Sequence, residues 1–178
     1  LFPGTGFTNE TGTGKGLGYS ANVPLYPYTG DELYLWAFRE VVPTLLEAFN
    51  ADVVVTQLGI DSHYLDPITH MALTVQGFIS VVTDLGYIAP KWLALGGGGY
   101  DIQAVARAWT AAYAVMLDNP ISDVIPDTYA DQYGVSTLSD QDNLSYTEPF
   151  QEKARQYAEA SVLEVQHQIF PALGLRSG

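Results

Sequence analysis

The feature that most constrains this chain is an alternation of two patterns between residues 52 and 116. Asp52-Val53-Val54-Val55-Thr56-Gln57-Leu58-Gly59 is a β-branched run that stops at glycine. Trp92-Leu93-Ala94-Leu95 is a second short apolar run, stopped by Gly96-Gly97-Gly98-Gly99. Such runs predict strands buried on both faces, as parallel sheets require. Val75, Phe78, Ile79, Val82 and Leu85 fall between them, and Ile102, Val105, Trp109, Ala112 and Met116 fall after them. Both sets have the spacing of a helix with one apolar face. Thr74 is placed to cap the first of these helices and Gly86 to end it. Strand, helix, strand, helix predicts an α/β fold around a mostly parallel sheet.

The flanks are less regular. Residues 1–22 are rich in Gly and Thr and read as loop. From Asp31 onward, Leu35, Phe38, Val42, Leu45 and Phe49 predict a helix. Asp31 and Glu32 sit in its first turn, where carboxylates favour the positive end of the helix dipole. Pro43 predicts a kink, because it removes a backbone hydrogen bond. Residues 118–148 carry Pro120, Pro126 and many Asp, Ser and Gln, and read as a long surface segment. A last helix follows, with Thr147 as cap, Pro149 in the first turn, and Phe150, Ala154, Tyr157, Ser161, Val165 and Ile169 on its inner face.

Composition narrows the function. Seven Lys plus Arg against twenty Asp plus Glu give a net charge of −13. A chain so acidic repels nucleic acid, whose binding rests on cations at the phosphates, and attracts basic substrates or cations. The absence of cysteine excludes disulfides, a thiolate nucleophile, iron–sulfur ligation and a cysteine-built zinc site. No apolar run reaches membrane-spanning length and no leader opens the chain, so the expectation is a cytoplasmic protein. At 178 residues and 47% hydrophobic, it is long and apolar enough for a core. The start, Leu1-Phe2-Pro3-Gly4, lacks Met and reads like the middle of something larger.

In open α/β sheets ligands bind beyond the carboxyl ends of the strands. This rule selects Gly59 to Pro67 after the first strand and Gly96 to Tyr100 after the second. Asp61 suits a metal ligand or general base, or else an Asx turn. His63 is placed to join it or to serve as an ordinary loop histidine, and Asp66-Pro67 is most simply a turn. Four glycines permit positive φ and let a ligand or neighbouring chain approach closely. The run lacks both the Lys-Ser/Thr of a P-loop and the Gly-x-Gly-x-x-Gly spacing of a dinucleotide fold. The Tyr100 hydroxyl suits donation to a developing oxyanion, or the ring suits packing at a helix start. No Gly-x-Ser-x-Gly elbow supports serine catalysis. His70 reads as structural or solvent-facing and His167 as a surface residue.

Taken in order, these segments resemble the second half of the zinc-dependent histone deacetylase superfamily, most closely the bacterial acetoin-utilisation deacetylases. The matching text is Phe2-Pro3-Gly4-Thr5-Gly6, Gly14-Lys15-Gly16, Tyr19-Ser20-Ala21-Asn22-Val23-Pro24-Leu25, and Gly30-Asp31-Glu32. It continues with Gln57 to His63, Asp66-Pro67, Leu73-Thr74, Leu95 to Tyr100, and Arg107-Ala108-Trp109-Thr110. It covers residues 1–127, leaving 128–178 as a surface segment and terminal helix of a single domain.

The resemblance implies a three-layer, arginase/deacetylase-like α/β fold and hydrolysis of an acetyl amide on lysine or a small amine. It implies Asp61 as a zinc ligand and Tyr100 as the hydroxyl on the acetyl carbonyl. Phe2, Ile68 and Gly98 become walls of the acyl-lysine tunnel. Gln57 and His63 stand beside the metal as non-ligands, His63 in the second shell of contacts or at the rim. The backbone carbonyl of Tyr19 matches one that helps hold a structural potassium ion in some members. Zinc would polarise the amide and acidify a bound water. The family's adjacent His-His pair and Asp-x-His zinc pair have no counterpart among His63, His70 and His167. The expectation is therefore a C-terminal portion that is inactive alone, needs the missing N-terminal half, and self-associates through an exposed apolar edge.

Overall fold

The computed structural model describes residues 4–142, 144 and 146–176. Its elements in chain order are α1 (Asp31–Phe49), β1 (Val54–Leu58), α2 (Val75–Ile88), β2 (Trp92–Gly96), α3 (Ile102–Met116), α4 (Asp127–Tyr133) and α5 (Glu148–Gln168), with 3-10 turns at Gly14–Gly16 and Phe170–Leu173. They fall into two compact units. One comprises Leu1–Thr29, Leu33–Ala51 and Tyr146–Gly178; the other comprises Gly30–Glu32 and Asp52–Ser145.

The first unit is held by α1 against α5. Ala37 and Val41 meet Val162, Val165 and Ile169, with Val23, Leu25, Trp36, Leu45 and Leu173 packed around them. The stripe expected on α1 is therefore rotated: Ala37, Val41 and Leu45 face inward, and Phe49 is exposed. Small and β-branched residues form the buried centre of this cluster, leaving bulkier ones to the flanks. The helix continues past Pro43 to Phe49. On α5 the inner residues are Ala154, Ala158, Ser161, Val162 and Val165. Tyr157 instead joins an aromatic group, its ring 5.9 Å from that of Tyr26. Thr147 precedes α5 without a side-chain capping bond, and Pro149 lies in the first turn.

The second unit carries the βαβα core. β1 and β2 pair in parallel, with Val54 opposite Trp92 and Leu58 opposite Gly96. On one face Val54 and Leu58 are buried, Trp109 of α3 lies against Gly96, and its Nε1 donates to the Leu58 carbonyl at 2.8 Å. On the other face Val55, Leu93 and Leu95 are exposed. Burial on both faces is thus not met in this chain, because among the described residues the sheet has two strands.

Thr74 caps α2, accepting the Gly77 N–H at 3.1 Å, and the helix runs two residues beyond Gly86. The Asp31 carboxylate serves this end too, accepting the Thr74 N–H at 2.8 Å and its hydroxyl at 2.6 Å. A Cβ on Gly77 would lie 2.0 Å from Asp31 Oδ1, so glycine makes room for that carboxylate. The expected surface segment at 118–148 is more ordered than its composition suggests. It holds α4, a Val124–Thr137 bridge and the buried Asp140. Among the described residues, no helix is long and apolar enough to cross a membrane.

Candidate active site

Because β1 and β2 are parallel and in register, the loops after Leu58 and Gly96 leave the same edge of the sheet. The Ile60 N–H donates to the Gly98 carbonyl at 2.7 Å, tying the two loops together. The glycines make this approach possible. A Cβ on Gly97 would lie 2.8 Å from the Gly59 Cα and 2.7 Å from the Gln57 Cδ. One on Gly98 would lie 2.1 Å from Asp61 Oδ2, and Gly99 holds a φ of +141° that favours glycine. The close neighbour of the glycine run is therefore the Gly59–Asp61 backbone, and the Asp61 carboxylate fills the space a side chain at position 98 would need. That carboxylate is partly exposed, and among the described residues it accepts no hydrogen bond. The Asp61 carbonyl accepts the Thr69 hydroxyl.

Tyr100 ends the second loop, with 55% of its surface exposed. Its N–H donates to Asp66 Oδ2 at 2.9 Å. The other oxygen, Oδ1, accepts from Ile68 N at 2.9 Å and Thr69 N at 3.2 Å. Asp66 therefore makes the expected turn and also reaches across to Tyr100. The next residue, Asp101, caps α3 by accepting the Ala104 N–H at 2.8 Å. Ile68 is exposed beside this turn.

His63 is not at a rim; it is 1% exposed. Its Nδ1 accepts the Leu65 N–H at 3.2 Å, which places the proton on Nε2 for donation to Asp140 Oδ2 at 2.9 Å. Both ring nitrogens are thus taken. Asp140 Oδ2 also accepts the Val75 N–H at 2.7 Å, and Oδ1 pairs with Arg107 Nη1 at 2.8 Å. Burial pushes the Asp140 pKa up, but the hydrogen bonds from His63, Val75 and Arg107 outweigh it and hold the carboxyl below its ordinary value. The Gln76 side chain closes the arrangement, donating to the Asp140 carbonyl and accepting its N–H. Sequence reasoning missed Asp140. The available signal was Arg107, a cation on an alanine-lined helix face that buries Ala104 and Ala108 and so requires an anion.

Gln57 is exposed on β1 next to Gly97, Tyr19 is exposed in the first unit with its ring 6.0 Å from Phe49, and Phe2 lies outside the described residues. Among the described residues, no three His, Cys, Asp or Glu side chains cluster to hold a metal. Catalytic zinc takes three protein ligands. The described residues do not make a complete zinc site.

The histone deacetylase domain matches residues 1–116. The acetoin utilization protein AcuC of Bacillus subtilis (strain 168) is 42% identical over 122 residues, 65% of this chain and 32% of that protein. AcuC of Staphylococcus xylosus is 37% identical over 136 residues, 72% of this chain and 35% of that protein. The chain thus spans about a third of the length of these relatives. The crystal structure of the HDA15 HD domain superposes with a TM-score of 0.72 at 26% identity, covering 98% of this chain and 43% of that one. The α/β architecture is accordingly deacetylase-like, and the chain belongs to the histone deacetylase domain family.

Proposed function

We propose that this chain supplies part of the active site of a zinc-dependent deacetylase that hydrolyses the acetyl amide of acetyl-lysine or an acetylated small amine. The observation that carries the reading is the Asp61 carboxylate lodged against Gly98, two residues before the exposed Tyr100. Asp61 offers one zinc ligand, a carboxylate that accepts no hydrogen bond among the described residues, and further ligands would have to join it, since the described residues hold no cluster of three. Tyr100 offers its hydroxyl to the acetyl carbonyl oxygen, and donation there favours the charge that develops as the amide is attacked. Ile68 and Gly98 wall the approach for the apolar stem of the acylated amine, and a tunnel role for Phe2, which lies outside the described residues, rests on the resemblance alone. Gln57 and His63 support the loop rather than bind metal. Tyr19 lies far along the sequence from this loop, and a role for its carbonyl with potassium rests on the resemblance alone.

Alone, the chain turns over slowly or not at all, since one carboxylate does not fix a three-ligand geometry. The exposed Val55, Leu93 and Leu95 face favours association with further chain or with a second copy. The test is an assay on an acetyl-lysine peptide with zinc, using the chain alone and then mixed with a polypeptide supplying the N-terminal part of an AcuC-type domain. Activity only in the mixture, abolished by Asp61→Ala, supports the proposal. Full activity alone would refute the half-site reading. Activity in the mixture that survives Asp61→Ala would make the chain a non-catalytic binding module that keeps the fold.

A further inference from the structure

Tyr100 presents a difficulty for its proposed role: its side chain is 55% exposed, so packing does little to fix where the hydroxyl lies. Its position rests on the backbone that carries it. That backbone is held by Asp66, which is 7% exposed and whose carboxylate, among the described residues, is satisfied by three backbone N–H groups. One oxygen gathers Ile68 and Thr69, and the other takes Tyr100. Thr69 in turn donates its hydroxyl to the carbonyl of Asp61. A single buried carboxylate thereby joins the backbone of the tyrosine to the segment that carries Ile68 and is tied to Asp61. Hydrogen bonds to an ionised acceptor are stronger than neutral ones, and leaving a buried donor unmatched is costly, so the link resists displacement.

We propose that Asp66 is the positioning residue of the site, fixing Tyr100 relative to Asp61 through the Tyr100 N–H. This rests on the function proposed for Tyr100. Catalytic groups need placement within about 0.5 Å, and a shift of about 1 Å can cost roughly a hundredfold in rate.

Asp66→Asn tests the link selectively. Its one acceptor oxygen satisfies the two donors of Ile68 and Thr69, which turns the amide nitrogen toward the Tyr100 N–H and breaks that bond alone. Asp66→Ala would orphan all three donors and risk the fold, so the asparagine variant and a thermal melt are used together. Two readouts are taken: hydrogen exchange of the Tyr100 amide in this chain, and a kcat and KM cycle of Asp66→Asn, Tyr100→Phe and the double variant in the deacetylase assembled as above. The Tyr100 amide should exchange at least about tenfold faster in Asp66→Asn, following loss of a hydrogen bond to a charged group. The kcat should fall about ten- to a hundredfold with KM within about threefold. In the Tyr100→Phe background, Asp66→Asn should cost nothing further. Unchanged exchange, or losses that multiply in the double variant, would overturn the proposal, because a merely structural aspartate acts independently of the Tyr100 hydroxyl. A Tyr100→Phe variant with full turnover would instead sink the function proposed for Tyr100, while the exchange result still decides whether Asp66 holds that backbone.

Discussion

Replacing Asp140 with alanine should destabilise this chain by about 3–5 kcal/mol, the cost of breaking a buried ion pair by removing one partner. The structure shows why the figure belongs at that level. Three donors converge on two oxygens: Arg107 at 2.8 Å, Val75 N–H at 2.7 Å and His63 Nε2 at 2.9 Å. Arg107 is 4% exposed and would be left as an uncompensated charge. Each neutral donor adds about 1–3 kcal/mol if it stays dry. These costs share one site and do not add in full, so the ion-pair figure stands as the total. Against a typical stability of about 5–15 kcal/mol, the variant should lie close to unfolding. Urea denaturation followed by fluorescence of the three tryptophans measures this, with an unchanged slope reporting the same cooperative transition. Asp140→Asn should lose less, since it keeps the shape and one acceptor. A loss below about 1 kcal/mol for Asp140→Ala, the level of an ordinary surface hydrogen bond, would refute the buried network as described.

Other outcomes follow from the same geometry. Gly98→Ala would put a methyl 2.1 Å from Asp61 Oδ2, so the carboxylate must move; overpacking should cost about 1–3 kcal/mol in a melt, and kcat/KM in the assembled deacetylase should fall as far as it does for Asp61→Ala. Thr74→Ala removes the cap of α2 and should cost about 1 kcal/mol, read from the urea midpoint. The Asp140 carboxyl is held below its ordinary 3.8 in the fold, so its contribution is present above that value and is lost as pH falls through the lower folded value; the stability gap between wild type and Asp140→Asn should narrow there. Tyr64 is raised above its ordinary 10.0, chiefly by burial and then by its bond to Asp142, so stability is present below pH 10 and falls as pH rises beyond it; Tyr64→Phe should flatten that decline.

The βαβα core was legible because its signals are local. Val53 to Leu58 and Trp92 to Leu95 are strand-like in composition, α2 and α3 are periodic, and Thr74 caps where a threonine should. That the loops carrying Asp61 and Tyr100 leave one end of the sheet followed from parallel strands, whose carboxyl ends lie together. What was not legible depends on partners distant in sequence. Asp140 is buried only because Arg107 and His63 reach it, and nothing in the polar text around it marks it as interior. His63, for the same reason, could be taken for a rim residue until Asp140 and Leu65 claimed both its nitrogens. The face of α1 was misjudged because periodicity marks large apolar residues, whereas α1 meets α5 through Ala37 and Val41. Asp66 read as a turn, and it is one; its second oxygen finds Tyr100 across a gap of 34 residues that no spacing rule spans.

The central claim is that Asp61 and Tyr100 form two parts of one deacetylation site. The most direct measurement is kcat/KM on an acetyl-lysine peptide for the zinc-loaded deacetylase assembled from this chain and its complement, with and without Tyr100→Phe. Removing an oxyanion donor costs about 10²–10³ in rate, so the variant should fall by that factor while still binding zinc and peptide as wild type does. A Tyr100→Phe enzyme within about threefold of wild type would contradict the account, since the loss expected for such a donor is far larger.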